Sequence, residues 1–498
     1  MIYLQMASLP PPEPAIIDLA RRTLKGIGWN SLTYGFGKLL TIVTTSILAH
    51  LLSPDNFGLA AYASVAITYL TILRDMGLGA ALVQRRGDVE KTASTVFTLN
   101  LMVGLLMTAT TVLLAPLAAL YFKEPQVTPM LRWLGLSILI NSLGSIHMSR
   151  LQRELNFKWK MVPMIGSTAI KGIVSIFLGL LGYGAWALIF GQLAGSAVSL
   201  ILVWVVLPWR PRIMIDRKIA GELFKYGFIV MGENALSVAQ DDFDYLVVGR
   251  LFSQAAMGIY TLAYQIPEML VLSLLWVISD VIFPAFSSIQ SQAKDLKKSI
   301  LITMRYMGLI ITPICLGMIV AADPMVRVVF GEKWLDVIPI MRILALYALV
   351  YSIGFNIGDV YKAIGRPAII IKITLPTMIF RILALWLGGQ MGGLIGIAYG
   401  HLLAALVEVI VRLVVATRIL HITFKEIFTQ FTSYVGGLAL LAMALPLLSV
   451  TGDLFPLVRL VILVLFGAAA YIGTMYLIER HSFADLIGLM RTKKVQPD

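Results

Sequence analysis

The chain has 498 residues, of which 58% are apolar and only 13% charged, with a mean hydropathy of +0.86. That is about half the usual charged share, too little to clothe a water-facing surface, so the composition argues against a soluble enzyme, and the single cysteine, Cys315, excludes a disulfide-stapled secreted scaffold. The net charge of +13 would suggest nucleic acid in a soluble protein, but its location decides its meaning.

Apolar runs of about 20 residues, long enough to cross a bilayer, predict an all-α polytopic membrane protein of about 14 transmembrane helices. The expected spans are 27–52, 57–83, 93–115, 128–149, 162–181, 184–207, 223–249, 257–286, 300–322, 338–361, 367–388, 391–416, 427–449 and 455–479. Residues 1–26 read as a tail; the stretch with Pro10, Pro11, Pro12 and Pro14 lacks the features of a cleavable signal peptide. Loops holding Arg85, Arg86 and Lys91, then Arg150, Arg153, Lys158 and Lys160, then Arg210, Arg212, Arg217 and Lys218, then Lys294, Lys297 and Lys298 alternate with loops of few cations. The positive-inside rule therefore places both termini in the cytoplasm. The charge belongs to a membrane rim that meets anionic lipid headgroups, and no nucleic-acid partner is implied.

The halves repeat each other. At an offset of 200 residues Leu51, Ser53, Gly58, Ala63 and Leu70 fall on Leu251, Ser253, Gly258, Ala263 and Leu270. At an offset of 210, Pro129, Arg132, Ser142 and Gly144 fall on Pro339, Arg342, Ser352 and Gly354. A period of six spans gives both copies the same orientation, so the expected architecture is two six-helix lobes in parallel repeat, 27–209 and 210–425, followed by two further helices in 426–480 and a tail, 481–498. A substrate site is expected between the lobes.

A charge at mid-bilayer costs about 2.5–3.5 kcal/mol, so Lys38 in span 1, Lys171 in span 5 and Arg381 in span 11 need a wet cavity or an acidic partner. Arg74 and Arg305 lie nearer span ends and can snorkel. Asn30, Tyr34, Lys38, Thr41 and Thr45 share one face of span 1. Glu233, Ser237, Asp241 and Asp244 are expected to do the same in span 7, with Asn234 and Asp242 adjoining. The two stripes read as cavity walls, or alternatively as interhelical hydrogen bonding. The Asp241–Asp244 cluster contains a D-x-D that could hold a metal diphosphate in a transferase, but no second acidic motif accompanies it. The sequence contains no G-x-x-x-x-G-K-[ST] and no H-E-x-x-H; no cofactor or metal is implied. His50, His147, His401, His421 and His481 are expected at membrane interfaces, and Gly388, Gly389, Gly392 and Gly393 at a turn between spans 11 and 12.

The stretch "GIGWNSLTYGFGKLLTIVTTSILAHLLSPDNFGLAAYASVAITYLTILRDMGLGAALVQRR", the basic "RELNFKWK" at Arg153–Lys160 and "DYLVVGRLFSQAAMGIYTLAY" from Asp244 resemble the polysaccharide transporter (Wzx-type, colanic-acid-exporter-like) branch of the multidrug/oligosaccharidyl-lipid/polysaccharide flippase superfamily. The resemblance covers the chain beyond its tail. It implies export of an undecaprenyl-diphosphate-linked oligosaccharide across the bacterial inner membrane by alternating access, for exopolysaccharide or lipopolysaccharide assembly. It further implies a cationic cavity for the diphosphate, a polyprenyl tail held in lipid, a proton or sodium as coupling ion, and work beside a polysaccharide polymerase or export complex. The acids Glu233, Asp241 and Asp244 are then candidates for proton coupling. A cation-coupled multidrug efflux pump of the same superfamily, a membrane-embedded transferase and a lipid II flippase are the alternatives.

Overall fold

The computed structural model describes residues 14–74, 78–79, 82, 88–290, 292–431, 436–437, 451–452 and 454–478, and those residues form helices without a strand. The chain divides into two units, Met1–Asp242 and Phe243–Asp498.

The first unit holds α1 (Pro14–Leu51), α2 (Pro54–Arg74), α3 (Val89–Phe122), α4 (Val127–Arg153), α5 (Phe157–Leu180), α6 (Ala185–Val206) and α7 (Arg217–Asp241). The helices start where a side chain takes up free N–H groups: Asp88 accepts from Glu90 and Lys91, and Asp216 from Lys218 and Ile219. The closest packing is α5 on α6, where Gly191 and Gly195 meet α5; a Cβ on Gly195 would lie 2.8 Å from the Ser167 carbonyl oxygen and 3.0 Å from Lys171 Cβ. Small residues at four-residue spacing let two membrane helices approach this closely. Outward faces are apolar, with Leu113 76% and Leu120 72% exposed, as a lipid-facing surface requires.

The second unit holds α8 (Phe243–Leu251), α9 (Gln254–Pro267), a π-helical turn (Glu268–Leu272), α10 (Ser273–Ser288), α11 (Ala293–Val329), α12 (Val337–Ala363), α13 (Ala368–Leu420), α14 (Phe424–Phe428) and α15 (Pro456–Ile478). At 53 residues α13 would be about 80 Å long if straight, at 1.5 Å per residue, against about 30 Å of hydrocarbon. It is broken at Gly392 and Gly393, the latter at φ 61°, ψ −146°, a conformation that only glycine adopts freely. Its two arms pack backbone to backbone: a Cβ on Gly396 would lie 1.9 Å from the Gly388 carbonyl oxygen.

The repeat is visible as repeated local chemistry. Ser53 and Ser253 each accept from the backbone N–H three residues on, Asn56 and Ala256, both at 3.4 Å. Gly184, which opens α6, has φ 57°, ψ −132°, nearly the conformation of Gly393. Pro116 deprives the Val112 carbonyl of its helical donor, and Arg132 Nε supplies one at 3.4 Å. Repeat-related Arg342 bonds the Ile319 carbonyl at 3.1 Å, close to Pro324.

Among the described residues nine helices are long and apolar enough to cross a membrane, and the chain is a multi-pass membrane protein. Helices α1–α6 coincide with the first six expected spans, and the arms of α13 with spans 11 and 12. The expectation for span 7 needs correction: α7 starts at Arg217 and ends at Asp241, Asp242 departs from helical geometry (φ −113°, ψ 5°), and a separate helix begins at Phe243. Consequently α7 groups with the first unit and α8 with the second. Most of span 13 lies outside the described residues.

Candidate functional site

The first unit encloses a cavity of about 630 Å³ walled by α2, α4, α5, α6 and α7. From α2 come Ser64, Thr68 and Thr71, from α4 Ser137 and Asn141, from α5 Lys171, from α6 Gln192, and from α7 Asn234 and Ser237. Their placement follows from helical spacing: Ser64, Thr68 and Thr71 stand four and three residues apart and share one face.

Most of these hydroxyls have already spent their protons. Ser64 donates to the Ala60 carbonyl at 2.8 Å, Thr68 to Ser64 at 3.0 Å, Thr71 to Ile67 at 2.7 Å and Ser137 to Leu134 at 2.6 Å. An engaged hydroxyl still offers lone pairs, so the α2 wall is an acceptor surface. Donors come from the carboxamides of Asn141, Gln192 and Asn234 and from the Lys171 ammonium. Lys171 is exposed into the cavity and has no acidic or hydrogen-bonding partner among the described residues. The site therefore combines one uncompensated cation with amides and acceptor oxygens, a lining suited to a ligand bearing both an anion and several hydroxyl groups.

Of the residues expected from sequence, the structure brings Lys171, Asn234 and Ser237 to this cavity. Lys38 instead lies over the Tyr34 ring, 5.5 Å from its centroid, and the Thr41 hydroxyl donates to the Gly37 carbonyl at 2.9 Å. Arg74 ends α2 and Arg305 sits on α11, and neither is free. Asp242 closes α7 through its N–H to the Val238 carbonyl. The side chains of Asn30, Glu233 and Asp241 lie outside the described residues.

Arg381 and Asp244 belong to a buried cluster in the second unit. Arg381, 6% exposed, pairs with Glu408 at 3.8 Å, while Arg412 holds the other Glu408 oxygen at 2.5 Å. Asp244 does not continue the stripe of α7, because the break at Asp242 turns it into the second unit, where Tyr260 Oη donates to its Oδ2 at 2.5 Å. His401 is 2% and His147 0% exposed: His401 Nε2 meets Tyr260 Oη at 2.9 Å and His147 Nε2 the Trp209 carbonyl at 3.0 Å. His50 and His421 are exposed, and His481 lies outside the described residues. Sequence reasoning missed Asn141, Gln192, Glu408 and Arg412. The last two carry a legible signal, opposite charges at i, i+4 inside an apolar span.

Comparison with known proteins agrees with this architecture. The lipopolysaccharide biosynthesis protein WzxC of Escherichia coli (strain K12) is 27% identical over 401 residues, covering 79% of this chain and 80% of that protein. Among solved structures, the lipid II flippase MurJ in an inward closed conformation superposes with a TM-score of 0.72 at 17% identity, covering 92% of this chain and 99% of MurJ. An inward-facing multidrug resistance MATE family transporter of the MOP superfamily gives 0.65 at 16% identity, over 78% of this chain and 94% of that one. The sequence profile of the polysaccharide biosynthesis protein family matches residues 47–339. The chain belongs to that family and has the fold of the MOP superfamily transporters.

Proposed function

We propose that the protein is a flippase that moves an undecaprenyl-diphosphate-linked oligosaccharide from the cytoplasmic to the periplasmic leaflet of a bacterial inner membrane by alternating access, for exopolysaccharide or lipopolysaccharide assembly. The observation that carries this reading is Lys171, without an acidic partner among the described residues, in a cavity whose other polar lining is amides and hydroxyls. The ammonium and the carboxamides suit a diphosphate, and the α2 wall suits sugar hydroxyls that donate. The names of relatives in polysaccharide export and lipid flipping support the same substrate class. With the cytoplasm negative, outward movement of an anionic headgroup gains about 2.3 kcal/mol per charge per 100 mV.

The second reading, cation-coupled efflux of amphipathic drugs, is favoured by the likeness to a MATE transporter. A cavity for a cationic drug needs a carboxylate, and none lines this cavity among the described residues. The discriminating experiment probes lipid-linked oligosaccharide on intact spheroplasts of a deletion strain with an impermeant glycan reagent. Accumulation on the inner leaflet, relieved by the wild-type chain, supports flipping. Normal sidedness with altered sensitivity to toxic amphiphiles moves the protein to drug efflux.

A further inference from the structure

Of the acids expected to couple to protons, Glu233 and Asp241 have side chains outside the described residues, and Asp244 stands in a built cluster of the second unit. Asp244 on α8, Tyr260 on α9 and His401 on the second arm of α13 form a continuous hydrogen-bonded chain with almost no exposure to solvent. Tyr260 Oη donates to Asp244 Oδ2 at 2.5 Å, so at 2.9 Å it accepts from His401 Nε2, which also stands 3.3 Å from Asp244 Oδ2 itself. That assignment puts the proton of a neutral imidazole on Nε2 and leaves Nδ1 as a bare acceptor. Both outer atoms of the chain, Asp244 Oδ1 and His401 Nδ1, are buried and without a hydrogen-bond partner among the described residues. Such groups are rare in folded proteins, because an unmade buried hydrogen bond costs about 1–3 kcal/mol, and here two of them end the same relay.

The surroundings make this a one-proton device. Tyr245 on α8 and Tyr264 on α9 pack against the relay, Tyr347 on α12 lies 5.2 Å from the His401 ring, and Arg381 and Glu408 on α13 supply the nearby charge. Asp244 and Glu408 balance Arg381 and Arg412 while His401 is neutral. A proton arriving therefore leaves one unbalanced positive charge in a closed pocket, which a buried cluster does not hold without rearranging or admitting water.

We propose that Asp244, Tyr260 and His401 are the proton-binding site through which pH acts on this transporter. A proton binds His401 Nδ1; the Nε2 proton passes to Tyr260 Oη as the Tyr260 hydroxyl proton passes to Asp244 Oδ2. One proton enters: bonds from hydrogen to His401 Nδ1, Tyr260 Oη and Asp244 Oδ2 form as those to His401 Nε2 and the original Tyr260 Oη break, and the site ends as a neutral carboxyl beside a neutral imidazole. The role as a coupling site rests on the flippase reading, while proton binding itself does not.

The test uses the full chain in lipid nanodiscs, with infrared difference spectra recorded between alkaline and acid pH. The wild type is expected to show a protonated-carboxyl band that rises with the imidazole signal at one midpoint. D244N removes the carboxyl band, H401Q removes the imidazole component that shares its midpoint, and Y260F, which keeps the pocket filled and leaves the direct 3.3 Å contact of His401 with Asp244, moves that midpoint tenfold in proton concentration. A carboxyl band unchanged in D244N, or a single unshifted midpoint in Y260F, overturns the proposal. Sidedness of lipid-linked oligosaccharide across external pH then separates the two ideas. Flipping that keeps wild-type pH dependence in D244N and H401Q sinks the coupling site and leaves the flippase. Wild-type proton binding without any effect of the protein on sidedness sinks the flippase and leaves the proton site.

Discussion

Glu408 is the residue on which the charge cluster of the second unit turns, and its removal gives the sharpest test of how Arg381 is used. Its carboxylate is 4% exposed and holds Arg412 at 2.5 Å and Arg381 at 3.8 Å, with those guanidinium side chains 12% and 7% exposed. Glu408→Gln keeps the volume and leaves two buried cations facing a neutral amide. Breaking a buried pair in this way costs about 3–5 kcal/mol, because the stranded charge is the penalty. Arg381→Met leaves Glu408 still paired with Arg412. It removes one long ion pair and a 3.5 Å contact to the Tyr347 hydroxyl, so its cost is about 1–3 kcal/mol. Arg412→Met falls between them, since it also gives up the bond to the Gly354 carbonyl at 3.2 Å. Thermal unfolding of the purified variants in one detergent, read by loss of the monodisperse peak, should rank them in that order. An E408Q variant as stable as wild type, or R381M as damaging as E408Q, refutes the pairing argument. A stable R381M variant that no longer supports export would return Arg381 to substrate handling.

Lys171→Met should weaken retention of an anionic headgroup by about 10- to 150-fold, the worth of one charge-assisted hydrogen bond of about 1.5–3 kcal/mol, while Lys171→Arg keeps most of it; complementation at matched abundance reads the difference. Gly195→Leu should separate α5 from α6 and displace Lys171, because even its first carbon would lie 2.8 Å from the Ser167 carbonyl oxygen; overpacking of this kind costs about 1–3 kcal/mol, and a loss of export with normal thermal stability would show that the site moved without the fold failing. Outside the membrane, Lys297 and the Thr423 cap hold the Glu426 carboxyl down at about 2. A depressed carboxyl contributes stability above its ordinary titration range and loses it as pH falls through the lowered value. Hydrogen exchange at α14 should therefore stay slow at pH 4 in the wild type and be faster in E426Q at neutral pH; equal rates would remove the role given to this contact.

Much of the fold was legible because membrane burial writes itself in composition. Runs of about 20 apolar residues located α1–α6 and both arms of α13, and the matched Ser53/Ser253 and Arg132/Arg342 positions turned out to cap helices and hydrogen-bond backbone carbonyls in both halves. Periodicity failed at span 7 for a stated reason. A polar stripe read at helical spacing assumes one unbroken helix, and the departure at Asp242 carries no proline or glycine to announce it. Asp244 thus shares a sequence pattern with Ser237 but not a wall.

The site was less legible because a charge inside a span has two stable resolutions that look alike in sequence. It can face water, as Lys171 does, or meet an opposite charge, as Arg381 meets Glu408. Insertion energetics demand only that one of these holds, and the choice depends on which helix lies opposite. In the first unit Gly191 and Gly195 bring α6 against the carbonyl and Cβ of Lys171, and the side chain beyond them lines the cavity. In the second, Glu408 and Arg412 stand one turn apart on the arm that packs against Arg381, and the charge is consumed internally. The same repeat thus yields an open polar chamber in one unit and a closed, charge-balanced cluster in the other. That division is what the two proposals require, a first unit that handles the substrate and a second that binds a proton.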